Sequence, residues 1–172
     1  MKADLIIHNA KQLVTCASNG KPKKGSQMRE LDIIENGALA VSENKIVAAG
    51  KSVEILRRFE SEKTIDVEKK VVCPGFVECH THLVFAGNRL DEFELKIKGA
   101  DYLEILKNGG GILSTVRATR QASFENLIED ARKRLDIMLA LGVTTCEVKT
   151  GYGLNTESEL KMLEAIFELD KT

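Results

Sequence analysis

The sequence predicts an α/β protein in two parts. A small β-domain occupies residues 1–70. Residues 71–172 open an α/β barrel or an open α/β sheet. Three observations carry this. The first 70 residues read as short strands and turns. The texture changes at Cys73-Pro74-Gly75. Beyond that point, two apolar strand-like runs flank one long amphipathic helix, the strand–crossover–strand order of a parallel sheet.

Residues 4–9 (DLIIHN) and 11–16 are strand-like, and 18–31 form a polar, turn-rich loop. Residues 38–50 give two strands about a tight turn at Glu43-Asn44. Residues 53–60 allow one or two helical turns, and 64–72 a strand pair about Glu68-Lys69. In the second part, 76–85 is a mostly apolar run, as for a strand buried on both faces. A long connection follows, with a helical stretch near 102–107 and then Gly109-Gly110-Gly111, read as a flexible turn. The clearest helix is 124–141, where Leu127, Ala131, Leu135, Met138 and Leu139 recur at helical spacing. Ser123 suits its N-cap and Gly142 its stop. Residues 143–148 make a second buried strand and 149–155 a Gly-rich loop. Thr156 and Glu159 form a capping box for a helix through Leu169. This is about two βα units, whereas a closed barrel takes eight strands and roughly 250 residues. The barrel is therefore expected to be incomplete.

Apolar residues make up 43% of the chain, enough for a sizeable core. The 25 basic and 26 acidic residues leave a net charge of -1, which argues against nucleic acid or an anionic membrane surface as partner. No run approaches the ~18 apolar residues of a membrane span. The start, MKADLIIHNA, lacks a signal-peptide pattern. Cysteines 16, 73, 79 and 146 are unpatterned and read as reduced thiols, which points to the cytoplasm.

Two of the three histidines, His80 and His82, sit two apart toward the end of the first apolar run. On a strand, residues i and i+2 share a face; on a helix they lie about 200° apart. A strand thus lets both imidazoles converge on one divalent ion. The bland alternative is two hydrogen-bonded or solvent-facing histidines. His8 reads as a structural or surface residue. A zinc knuckle using Cys73 and Cys79 is disfavoured, since Cys79 falls on the opposite strand face. From the residues alone, Arg89 beside Asp91 and Glu92 reads as a surface ion pair and Tyr152 between Gly151 and Gly153 as a loop aromatic. Gly109-Gly110-Gly111 could alternatively cradle an anion at a helix start. Arg117 and Arg120 are secondary candidates for contact with a substrate or with a neighbouring loop, Glu147 a supporting group and Lys149 structural.

Several motifs resemble a known family. VCPGFVECHTH (72–82) looks like the first barrel strand of the amidohydrolase superfamily. HTHLVFAGNRLDEFELK (80–96), GGGILSTVRATRQAS (109–123) and EVKTGYGLNTESELKML (147–163) are similar to the imidazolonepropionases of histidine degradation. The resemblance implies a TIM-type (β/α)8 barrel with a flanking small β-domain. It implies hydrolysis of the ring amide of 4-imidazolone-5-propanoate to N-formimidoyl-L-glutamate, with one zinc or iron ion. His80 and His82 would be the first two metal ligands, and Arg89 and Tyr152 would contact the substrate. In that family a further metal-ligand histidine, a substrate-contacting histidine, a glutamate near the metal and the metal-binding aspartate come from later strands. The proton shuttle is therefore expected outside these 172 residues, which would be an N-terminal portion with weak metal binding and little turnover. The implied partner is a small-molecule substrate, and a homodimer is left open. The alternatives are another cyclic-amide hydrolase or aminohydrolase of the superfamily, or a non-catalytic product that associates through the sheet edge after residues 143–148.

Overall fold

The structure, a computed structural model, describes residues 1–18, 20–107 and 109–171. It is α/β and divides into two units, Met1–Pro74 and Gly75–Thr172.

The first unit is built on β1 (Leu5–Val14), which pairs antiparallel with β2 (Ile33–Ser42). β2 pairs antiparallel with β3 (Lys45–Lys51). The two strands expected over 4–16 are one. The register shifts between Ile7 and Ala10, where Asn9 takes φ +63°, so a bulge stands where a break was expected. Ser52 satisfies that bulge: its Oγ accepts the Asn9 N–H at 3.1 Å and donates to the Gly37 carbonyl at 2.8 Å. The β2–β3 turn lies at Glu43-Asn44, both left-handed at φ +51° and +59°, the twist a two-residue hairpin needs. The Asp4 carboxylate accepts the Glu43 N–H at 2.6 Å. The polar loop contains one short 3-10 helix, Gly25–Arg29; Asn19, also in that loop, lies outside the described residues.

Helix α1 (Ser52–Arg58) lays Ile55 into a core with Ile6, Ala38, Ala40 and Phe59. A second cluster joins Ala10, Leu13 and Leu39. β4 (Thr64–Asp66) and β5 (Val71–Val72) do not pair with each other as a hairpin would. Both run parallel to β1, one beyond the other along its edge. The left-handed Glu68 and Lys69 are a detour in that edge, opposite the Asn9 bulge: Lys69 N–H donates to the Asn9 carbonyl at 3.0 Å.

The second unit begins with β6 (Phe76–Thr81) and returns, through four helices, to the parallel strand β7 (Val143–Val148). The helices are α2 (Leu90–Ile97), α3 (Tyr102–Lys107), α4 (Ile112–Gln121) and α5 (Phe124–Ala140), and α6 (Thr156–Leu169) follows β7. Gly75 enables the strand entry: a Cβ there would sit 2.1 Å from Thr144 Oγ1. The Ser123 side chain accepts the Asn126 N–H, and Gly142 ends the helix region at φ +90°. Leu127, Ala131, Met162 and Ala165, from α5 and α6, close a core over Leu83 and Val84.

Four local expectations change. The apolar run after Gly75 is a strand only to Thr81; Leu83 and Val84, both buried, sit in an irregular segment beyond it. β6 is not buried on both faces, with Phe76 58% and Val77 68% exposed, because within the described residues only β7 pairs with it. Gly109-Gly110-Gly111 is a bonded turn rather than a flexible one. Gly109 and Gly110 N–H donate to the Leu106 and Ile105 carbonyls, and Gly111 N–H donates to Glu92 Oε1 at 2.8 Å. The N-cap of α6 is Asn155, whose side chain accepts the Ser158 N–H, and not Thr156. No helix among the described residues is long and apolar enough to cross a membrane.

Candidate metal and substrate site

His80 lies near the C-terminal end of β6 and His82 follows the strand's last residue, Thr81; their ring centroids are 5.4 Å apart, edge to face. His80 is exposed and His82 half-buried. The Tyr152 ring stands 5.5 Å from His82 on one side and 5.7 Å from Phe85 on the other. Nδ1 of His82 is buried and has no hydrogen-bond partner among the described residues. Leaving such a nitrogen unsatisfied costs about 1–3 kcal/mol, so the site favours a group that engages it. Gly151 makes the close approach possible. At φ +132°, a Cβ there would come within 3.3 Å of His82 Cε1 and 3.4 Å of Nδ1. Two converging imidazoles are the donor chemistry of zinc or iron, so these residues fit the start of a metal site. No group of three or more His, Cys, Asp or Glu suited to a metal forms among the described residues.

The segment after β6 is held from α5. Arg134 Nη1 donates to the Leu83 and Phe85 carbonyls, 2.9 Å each, and its guanidinium stacks 3.7 Å over the Phe85 ring. Burial lowers its pKa, against the opposing charge of Asp130. Phe85, Arg89, Thr115, Arg134 and Tyr152 line a cleft of about 410 Å³. Arg89 and Tyr152 therefore share one cleft, and Tyr152 links it to His82. Among the described residues Arg89 forms no ion pair with Asp91 or Glu92; the Glu92 carboxylate is engaged by Gly111 instead. That leaves the guanidinium available in an otherwise aromatic and cationic cleft, where an anionic group is favoured.

The loop carrying Tyr152 is pinned on both sides. Glu159 Oε1 accepts the N–H of Gly153 at 2.8 Å and of Leu154 at 2.7 Å. Burial pushes the Glu159 carboxyl up, but the Leu154 N–H, the Thr150 hydroxyl and the Gly153 and Gly151 N–H groups outweigh it, so its pKa is lowered. Arg120 Nε, from α4, donates to the Gly153 carbonyl at 2.7 Å. Lys161 Nζ, from α6, donates to the carbonyls of Ala122, Arg120 and Thr119 at the end of α4, at 2.8, 3.1 and 3.4 Å.

The remaining sequence candidates fall elsewhere. Lys149 pairs with Glu147 at 3.2 Å, both half-exposed, beside the site rather than in it. Arg117 donates to the Gly109 carbonyl. His8 lies in the other unit, and the four cysteines are free. Sequence reasoning missed Arg134, which carries no local signal, and undervalued Glu159, whose place three residues into a helix after a Gly-rich loop was the available sign.

No family model matches the chain. Curated relatives do. A protein named imidazolonepropionase from Chloroflexus aggregans is 50% identical over 167 residues, 97% of this chain and 39% of the relative. One of the same name from Alkaliphilus oremlandii is 51% identical over 174 residues, 99% of this chain and 41% of the relative. Among solved structures, Escherichia coli guanine deaminase shares the fold with a TM-score of 0.65 at 18% identity, over 96% of this chain and 34% of that one. A zinc-bound adenosine deaminase from Xanthomonas campestris shares it with a TM-score of 0.60 at 18% identity, over 95% and 32%. The chain is thus similar, over nearly its whole length, to proteins named imidazolonepropionase, and spans about two fifths of theirs.

Proposed function

We propose that this chain carries the entry half of a metal-dependent hydrolase site that opens the ring amide of 4-imidazolone-5-propanoate to N-formimidoyl-L-glutamate. The observation that carries the reading is the run His80, His82, Tyr152, Arg89: two imidazoles, an aromatic ring against one of them, and a guanidinium in the same cleft as that ring. Identity of about half with proteins of that name supports the same reaction. In this reading the β-unit and the β6–β7 unit are the small flanking domain and the opening of a (β/α)8 barrel, and the cellular site is the cytoplasm.

His80 and His82 would hold one zinc or iron ion. When bound, such an ion supplies Lewis acidity, acidifying water and polarising a carbonyl. The rest falls to the chain's own groups. Arg89 takes the propanoate carboxylate in a planar, charge-assisted pair. Tyr152 packs on the flat heterocycle and offers its hydroxyl to a polar edge. Phe85 and the Arg134 stack wall the cleft, which strengthens both contacts by excluding water. These residues bind and orient; proton transfer at the leaving nitrogen needs an acid–base group from outside this set, as the resemblance implies.

The test measures zinc and iron stoichiometry and imidazolonepropanoate hydrolysis on the 172-residue chain. With two imidazoles and no third ligand among the described residues, weak binding that H82A abolishes and near-zero turnover are expected. Full turnover would overturn the incomplete-site reading, and metal binding unchanged in H80A and H82A would overturn the metal assignment.

A further inference from the structure

We infer that Glu159 and Arg120 are positioning residues for Tyr152: from α6 and α4 they hold the two backbone groups of Gly153 and thereby set the neighbouring ring against His82. The inference rests on the proposed role of Tyr152, and deepens it.

The Tyr152 ring packs against the core around Leu83 and Val84, and its backbone is held from outside the loop. Its position is fixed one residue on. The Gly153 N–H is taken by Glu159 at 2.8 Å and its carbonyl by Arg120 at 2.7 Å, both bonds part-buried. Glu159 also takes the Leu154 N–H at 2.7 Å. The two grips come from different helices and opposite charges, and no ion pair joins them among the described residues, so each spends its charge on the peptide. Gly153 itself is pressed onto the start of α6: a Cβ would lie 2.7 Å from the Glu159 nitrogen and 2.8 Å from the Ser158 carbonyl carbon. Glu159 thus holds the Tyr152–Gly153 peptide plane through its N–H and Arg120 the next plane through the Gly153 carbonyl, which fixes the backbone from which the Tyr152 ring projects. Charge-assisted hydrogen bonds to backbone are about twice as strong as neutral ones. Neither residue lines the cleft, so both act through Tyr152 rather than on a substrate.

The test reads the Tyr152 ring from His82 and needs neither metal nor turnover. With three histidines in the chain, the ring Cε1–H protons give three NMR signals, assigned by H8A, H80A and H82A, in metal-free protein with chelator. Removing the ring in Y152A abolishes its ring-current effect and sets the full displacement of the His82 signal. E159A and R120A should each move that signal by roughly half of this displacement or more, while His8, in the other unit, stays put. R120K, which restores a donor, should return the signal toward its wild-type position, a rescue that general destabilisation would not produce. Should E159A fail to fold, R120A and R120K carry the test alone. A His82 signal unmoved in folded E159A or R120A, or unmoved in Y152A, overturns the inference. The functional reading is tested separately by binding of imidazole-4-propanoate to zinc-loaded wild type. If that binding is absent while His82 responds as stated, the positioning holds and the substrate assignment falls.

Discussion

Lys161→Met isolates one interaction. Its ammonium closes the C-terminal end of α4, with one strong bond to the Ala122 carbonyl at 2.8 Å and two weaker ones at 3.1 and 3.4 Å. A charge-assisted bond contributes about 1.5–3 kcal/mol net, and a cation at a helix C-terminus about 0.3–1 kcal/mol. Methionine keeps the length of the stem, so little packing is lost. Since the side chain is half-buried, the expected loss is about 2 kcal/mol. The assay is urea unfolding followed by tyrosine fluorescence. Both tyrosines, Tyr102 and Tyr152, lie in the Gly75–Thr172 unit and the chain has no tryptophan, so the signal reports that unit alone. With a slope near 1 kcal/mol/M for roughly 100 residues, the midpoint should fall by about 2 M. Because the acceptors are carbonyl dipoles rather than carboxylates, moderate salt should leave the loss largely intact. K161R should retain most of the stability. A K161M midpoint within about 0.5 M of wild type would refute the reasoning.

Two further outcomes follow from named contacts. Gly75→Ala places a methyl 2.1 Å from Thr144 Oγ1 and should destabilise the second unit by about 1–3 kcal/mol in the same assay, with T144A giving partial relief. Glu159 has a folded pKa lowered from its ordinary 4.5, so its contribution is fully present above about that pH and is lost as pH falls through the lower folded value. Urea midpoints of wild type and E159Q should therefore differ at pH 7 and converge on acidification, and a gap that widens at low pH would contradict the sign.

What the sequence made legible depended on how much apolar contrast each element carries. Helix α5 could be read to within a residue because Leu127 and Ala131 recur at its period and Ser123 and Gly142 punctuate it. The His-x-His pair could be read because a strand has one simple period. Helix α4 was invisible: two of its three buried residues are threonines, Thr115 and Thr119, and Thr119 earns its burial by accepting the Ala86 N–H. Helix α2 buries none of its residues, so no stripe marks it. The strand was read too long because Leu83, Val84 and Ala86 are buried without being part of it, in a segment held by Arg134 from far along the chain. Arg120 was open to either a substrate or a neighbouring loop, and the loop it meets is the one that carries Tyr152.

The Gly109-Gly110-Gly111 turn has a consequence for what can dissolve around this protein without touching it. A glycine-rich helix start ordinarily invites inorganic anions. Here the chair is taken: the carboxylate of Glu92 sits on the Gly111 N–H, delivered by α2 and present at the local concentration that a tether sustains, of millimolar order or more. Phosphate and sulfate in ordinary buffers compete poorly against such a resident. That one carboxylate on the Gly111 N–H ties α2 to the start of α4.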